Sequence, residues 1–360
     1  MSRAIGALPE LGLIEGFFGR PWSWRERAET IAYLAPHGYR FYLYAPKADA
    51  CLRRNWQDLH PDAEMDRLAA LAAHCRKLGV RFGIGLSPFE LHLQPGRDWQ
   101  DALARKLAHL DALRPDDLAI LFDDMRGDME GLADRQAAIV SFAAERSRAT
   151  RIIMCPSYYS DDPILDSAFG KRPEGYLARL GKLLDPAVEM FWTGPEVCSR
   201  EFSPGHLARI AEQMGRKPFL WDNYPVNDGA RMSQHLHLRA FTGRPAEMGR
   251  HIAAHGVNTA SQPVLSRIPA LTLADSYAEG DGYDYAASFR RAAADVLGPD
   301  LGKQLGGDVL AFQDRGRDRL GPRRETLRER YAAIPHPGAQ EVAAWLEGQW
   351  NVTDELVQTQ

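Results

Sequence analysis

Eight short apolar runs alternate with amphipathic helical patterns, and the alternation stops after the eighth. These observations predict an α/β fold, a (β/α)8 TIM barrel with a C-terminal all-helical extension. Strict strand–helix alternation implies parallel strands, and eight repeats close a barrel instead of leaving an open doubly wound sheet.

The first run, Leu11 to Phe18, leads into Ser23-Trp-Arg-Glu26. This is a capping box, in which the serine hydroxyl and the glutamate each satisfy a free amide of the first helical turn. Gly38 is placed to stop that helix before the second run, Arg40 to Lys47. Met65, Leu68, Leu71, Ala72, Cys75 and Leu78 then recur three and four residues apart, the mark of a helix with one buried face. Gly79 ends it ahead of the third run, Arg81 to Pro88. The same spacing in Leu103, Leu107, Leu110 and Leu113 precedes Leu118 to Asp124, and Arg151 to Tyr159 and Val188 to Pro195 follow. Ser203-Pro204 joins an N-cap to a proline at the first helical position, Gly215 closes that helix, and Pro218 to Asn223 and Gly256 to Gln262 complete the eight. Beyond about Ala278 only helical patterns remain, at Tyr285 to Val296, Val309 to Tyr331 and Gln340 to Leu356. The chain therefore divides into a barrel at 1–278 and a helical extension at 279–360.

A chain of 360 residues with 45% apolar and 26% charged residues has ordinary globular composition. A formal charge of -4 gives no reason to expect a nucleic-acid or anionic-membrane partner. The arginines of Arg315–Arg319 and Arg323–Arg330 are interleaved with acids and read as solvated helix faces. Met1 to Pro9 lacks the apolar core of a secretory signal, and no stretch approaches the ~20 apolar residues of a membrane span, which predicts a cytoplasmic protein. Cys51, Cys75, Cys155 and Cys198 are widely spaced without Cys-x-x-Cys and read as free thiols.

The chemistry should sit at the carboxyl ends of the strands, where barrel enzymes assemble their sites. Asp123 and Asp124 close the fourth run, and adjacent carboxylates can meet at one site only because the chain turns there. Each raises the pKa of the other, so one ionised and one protonated member make an acid/base pair. Other run ends carry Glu15-Gly16, Lys47, Ser157-Tyr-Tyr159, Trp192, Trp221-Asp-Asn223, Asp228 and Asn258. Singly each has a packing or ion-pair explanation. Together they describe a pocket for a sugar, with aromatic faces against its C–H surface and amides and carboxylates on its hydroxyls.

Ile14-Glu-Gly-Phe-Phe-Gly-Arg-Pro-Trp22, Tyr44-Ala-Pro-Lys47, Leu121-Phe-Asp-Asp124, Phe191-Trp-Thr-Gly-Pro195 and Trp221-Asp-Asn-Tyr-Pro-Val-Asn-Asp228 resemble, in order, the catalytic barrel of the family 84 β-N-acetylglucosaminidases, the O-GlcNAcase family. The resemblance spans about Leu11 to Tyr277; Phe18 stands where many members carry tyrosine. It implies a retaining exo-hydrolysis of terminal β-linked N-acetylglucosamine, in which the substrate's own acetamido oxygen attacks and an oxazoline forms. Asp123 would then polarise the acetamido group, and Asp124 would act as acid and then base. Tyr159 and Asn223 would contact the acetamido group and Trp221 would wall its methyl pocket, while Gly16, Lys47, Asp228 and Asn258 would bind hydroxyls. The partner implied is a β-N-acetylglucosaminide on a glycan, glycoprotein or glycoconjugate; no cofactor or metal is implied, and the C-terminal helices become candidates for homo-oligomer contacts. Two rivals remain. One is a non-catalytic N-acetylhexosamine-binding barrel, which would not require the Asp pair. The other is a metal-dependent hydrolase using Asp123, Asp124, His235 and His237, although i, i+2 histidines suit a strand and these follow one.

Overall fold

A computed structural model describes residues 8–96 and 98–360. Most of the segment read as lacking a secretory signal, residues 1–7, lies outside the described residues. Eight strands, β1 (Glu10–Glu15), β2 (Tyr39–Tyr44), β3 (Arg81–Leu86), β4 (Asp117–Leu121), β5 (Arg151–Cys155), β6 (Glu189–Trp192), β7 (Phe219–Asp222) and β8 (Ala254–Asn258), pair in chain order. All pairs are parallel, and β8 returns to β1 to close the barrel. The apolar runs outlast the strands by one to four residues because their last residues, such as Asp123 and Asp124, already belong to the upper loops. The eighth run is displaced: β8 starts at Ala254, and Thr259 to Gln262 form the turn after it.

Helices α1 (Trp24–Leu34), α2 (Asp62–Lys77), α3 (Trp99–Leu110), α4 (Leu132–Arg146), α5 (Ile164–Phe169), α6 (Tyr176–Leu183), α7 (Pro204–Met214) and α8 (Pro263–Glu279) join and surround the strands. The local signals operate as physics requires: Ser23 and Glu26 cap each other's amides at α1, and Ser203 caps α7. Gly38, Gly79 and Gly215 take positive φ angles of 92°, 67° and 67° at helix ends, a region open to glycine without steric cost.

The barrel interior is aromatic, with the Phe191 ring edge-on to Phe219 at 4.7 Å and to Trp221 at 5.1 Å. Its lower end is sealed by charge, since Arg151 joins Glu10 at 3.1 Å and Glu189 at 2.5 Å while Arg81 joins Glu10 and Asp117. The open end is therefore the upper one.

Past α8 the chain forms α9 (Tyr285–Leu297), α10 (Pro299–Val309), α11 (Arg323–Ala332), α12 (Pro337–Glu347) and α13 (Asp354–Thr359). The single helix expected over Val309 to Tyr331 is broken into a π turn at Leu310–Arg315, a 3-10 turn at Arg317–Arg319 and α11, with Gly316 and Pro322 at the breaks. Likewise Gly348 stops the expected Gln340 to Leu356 helix after Glu347. The extension is bolted to the barrel. Glu341 of α12 accepts hydrogen bonds from the Val264 and Leu265 amides of the first turn of α8, both at 2.9 Å, and the Trp345 indole donates to the Ser233 carbonyl at 3.0 Å. At α13, Gln360 accepts from the Gly19 amide at 2.8 Å, which carries the tail across the loop after β1. Among the described residues no helix is long and apolar enough to cross a membrane.

Candidate active site

Gly16, Lys47, Asp123, Asp124, Tyr159, Trp221, Asn223, Asp228 and Asn258 all border one cavity of about 220 Å³ at the upper end of the barrel. That volume is of the order of one hexose. The carboxylate pair faces it because Asp124 adopts a left-handed backbone, φ 57°, which turns the chain between two residues that an extended strand would point apart. Aspartate tolerates this conformation better than most residues, though it still costs about 1 kcal/mol.

Lys47 forms an ion pair with Asp123 Oδ2, and its ammonium lies 3.7 Å from Asp124 Oδ2. Burial alone would raise the Asp123 pKa, but the charges of Lys47 and Arg53 outweigh it and hold this carboxyl below its usual range. Neighbouring cations thus favour the ionised form of Asp123. Asp123 Oδ1 is buried and has no hydrogen-bond partner. Asp124 is the more accessible member, with a quarter of its side chain exposed (26% against 9%), and its Oδ1 accepts a 2.9 Å hydrogen bond from the Tyr159 hydroxyl.

The opposite wall is a chain of amides. Trp221 Nε1 donates to Asn223 Oδ1 at 3.1 Å, Asn258 Nδ2 donates to the same oxygen at 2.8 Å, and Asn258 Oδ1 accepts from the Gly16 amide at 3.3 Å. Asn223 Nδ2 is held by the Val197 carbonyl at 2.9 Å. Position 16 has no room for a side chain, because a Cβ there would lie 2.2 Å from the Trp221 ring. Asp228 Oδ2 accepts from the Phe18 amide at 2.9 Å. Burial pushes the Asp228 pKa up to about 6 against the pull of that amide, with the Asp124 charge adding to the rise.

Several neighbours carry little or no sequence signal. Nothing in the sequence marks Arg53, whose guanidinium bonds Ser87 Oγ at 3.0 Å and lies 3.5 Å from the Asp124 carbonyl. Val197 and Cys198 border the cavity just beyond the Phe191–Pro195 motif, and Val357 reaches it from α13. Conversely, two motif carboxylates turn away. Glu15 is fully buried against Arg27, with two contacts of 2.8 Å, and Asp222 against Arg244, at 2.7 and 2.9 Å.

His235 and His237 do not border this cavity, which leaves the metal-ligand set of the second rival unassembled. Their Nδ1 atoms face backbone carbonyls, of Gln313 at 2.7 Å and of Val226 at 2.9 Å. Asp49, Cys51 and His60, on the loop after β2, do offer ligand atoms within 4.8 Å of one another. Asp49 is already engaged there by His60 and by the Tyr44 hydroxyl at 3.0 Å, with the Lys106 cation beside it.

A family model described as beta-N-acetylglucosaminidase matches residues 11–308. The protein O-GlcNAcases of Rattus norvegicus and Mus musculus are each 29% identical to this chain over 249 residues, 66% of this chain and 26% of theirs. The match thus spans about a quarter of those curated relatives. A solved structure of a mutant of the Thermobaculum terrenum O-GlcNAc hydrolase superposes with a TM-score of 0.78 at 27% identity, covering 96% of this chain and 82% of that one. The matched stretch takes in β1 from its second residue, the other seven strands and every loop that lines the cavity, leaving only Val357 of the lining outside, and on that extent the chain belongs to the β-N-acetylglucosaminidase family.

Proposed function

We propose that this chain is a retaining exo-β-N-acetylglucosaminidase that uses the acetamido group of its substrate as nucleophile. The observation that carries the reading is Asp123 Oδ1: an ionised carboxylate oxygen, buried and without a donor, suits a substrate N–H. In the first step the acetamido oxygen bonds to C1 as the C1–aglycone bond breaks, Asp123 accepts from the acetamido N–H, and the Asp124 proton passes to the leaving oxygen. Water then attacks C1 as the C1–O bond of the oxazoline breaks; Asp124 takes the water's proton, the nitrogen regains the proton shared with Asp123 to restore the acetamido group, and two inversions give retention. Tyr159 steadies Asp124 through its 2.9 Å hydrogen bond, while Asn223 and Trp221 flank the acetamido group. The cavity volume of about 220 Å³ favours a single terminal sugar. A cytoplasmic location and the division into a 1–278 barrel and a 279–360 extension belong to the same proposal.

The test is hydrolysis of an aryl β-N-acetylglucosaminide, with the β-N-acetylgalactosaminide and the plain β-glucoside as controls. Turnover of the glucosaminide with none of the glucoside is expected; binding of N-acetylglucosamine without any turnover would favour the binding-only barrel. Successive fluorination of the acetamido methyl weakens the nucleophile, so kcat is expected to fall steeply along the series. A flat series would rule out substrate assistance.

Asp228 supplies a pH signature. Protonated, it has lost its charge; above about pH 6 it is ionised and can accept from two hydroxyls. The kcat/KM profile is therefore expected to rise between pH 5 and 7. Asp228→Asn should lose that limb and about 1.5 to 3 kcal/mol of transition-state binding, or about 10- to 160-fold in kcat/KM. An unchanged limb in the variant would assign it to another group.

A further inference from the structure

Beside the sugar-sized cavity lies a cleft of about 1350 Å³, between the loops after β6 and β7 and helices α9 and α10. Cys198 and Asn223 belong to the walls of both spaces, so a substituent leaving the sugar cavity past Cys198 enters the cleft. The cleft is several times larger than one sugar. Its floor is fixed, with the Tyr224 ring stacked on His237 and the Tyr224 hydroxyl donating to the Arg239 carbonyl at 2.8 Å.

Its charge is one-sided. Asp314 is the one carboxylate among the described lining residues, and Arg239 clamps it with two contacts of 2.5 Å. Arg244 is neutralised below by the buried Asp222. Arg200, Arg290 and Lys303 remain, exposed and without a carboxylate within salt-bridge distance among the described residues. Asp284, on which the Arg290 charge acts, is engaged in capping α9 through the amides of Ala286 and Ala287. Exposed Tyr285 (58%) and Leu310 (67%) add apolar surface along the same wall.

Building on the glycosidase reading above, we propose that this cleft is the aglycone site and that it selects polypeptide aglycones bearing carboxylates beside the glycosylated residue. The size of the cleft fits several residues of extended chain, the rings offer surface to backbone and apolar side chains, and three unpaired cations match acidic side chains.

The experiment uses two synthetic glycopeptides, each with one β-O-linked N-acetylglucosamine on serine, flanked either by Asp and Glu or by Asn and Gln. An aryl β-N-acetylglucosaminide, whose aglycone is too small to span the cleft, is the control. The wild type is expected to show about tenfold higher kcat/KM on the acidic peptide. That preference should vanish in an Arg290→Glu/Lys303→Glu variant and shrink at 0.5 M salt, with the aryl rate unchanged. Equal rates on the two peptides, a preference that survives in the variant, or a greater preference for N-acetylglucosamine linked to a carboxylate-bearing sugar would overturn the proposal. So would a dimer that covers the cleft and dissociates in the variant while peptide kinetics stay the same. If the wild type fails even on the aryl glycoside, it is the glycosidase reading that fails. Fluorescence anisotropy with the unglycosylated acidic peptide then decides the cleft alone: binding that is lost in the variant supports it, and no binding overturns it.

Discussion

Asp124→Asn is expected to lower kcat on an aryl β-N-acetylglucosaminide by about 10² to 10⁴-fold, the range for losing a positioned acid/base, while N-acetylglucosamine binding is largely kept. The asymmetry of the pair is the reason. Asp124 is the accessible carboxylate, oriented by Tyr159, whereas Asp123 is tied to Lys47 and held ionised by Lys47 and Arg53. The amide keeps the shape of the side chain but can neither give up the needed proton nor take one from water. Asp124→Ala opens space beside C1 on the leaving-group side, and azide should partly restore turnover of substrates with good leaving groups, giving a β-glycosyl azide. Asp123→Ala should show no such rescue, because it lacks the partner of the acetamido N–H rather than a proton carrier. An α-azide product, or equal rescue of both variants, would overturn the assignment of roles.

Asp222→Ala is expected to destabilise the fold by about 3 to 5 kcal/mol in urea unfolding, the usual consequence of stranding a buried charge. Asp222 is fully buried between Arg244 and His255, with contacts of 2.7 Å and 3.0 Å, and His255 passes the network on to the Tyr277 hydroxyl at 2.9 Å. Burial alone would raise the Asp222 pKa, yet the guanidinium and imidazole pull it below its usual range. Its contribution to stability is accordingly present above the unfolded-state pKa and is lost as pH falls through the folded one. Arg244 also donates to the Ser199, Arg200 and Thr242 carbonyls at 2.8, 2.6 and 2.9 Å, so the pair fixes the loop that carries Val197 and Cys198. An Asp222→Leu/Arg244→Met double variant should be less destabilised than Asp222→Ala, since no charge is left unpaired. A loss below about 1 kcal/mol in the single variant would mean that the pair does not couple β7 to this loop.

The barrel was readable because local signals and global fold agree. Short apolar runs, period-3.6 patterning, the Ser23 and Ser203 caps and three terminal glycines each act within a few residues, and all survive in the structure. The extension is less legible. Mixed charge and helical composition continue smoothly through Val309 to Tyr331, whereas Gly316 and Pro322 interrupt the helix. The π turn ahead of those breaks is held to the barrel by the Leu236 amide, which donates to the Phe312 carbonyl at 3.2 Å.

By itself the sequence determined the eightfold alternation, the position of the Asp123–Asp124 pair past a strand end, and nine of the residues that border the sugar-sized cavity. Tertiary structure alone decided which carboxylate faces which way. Glu15 and Asp222 look as chemical in the sequence as Gly16 and Asn223, but successive strand residues point to opposite faces, and closure of the barrel sets these two against Arg27 and Arg244. It also decided what acts on the pair. Arg53, 70 residues before Asp123, and Val357, more than 230 after it, reach the site only through long-range packing, for which no local pattern exists.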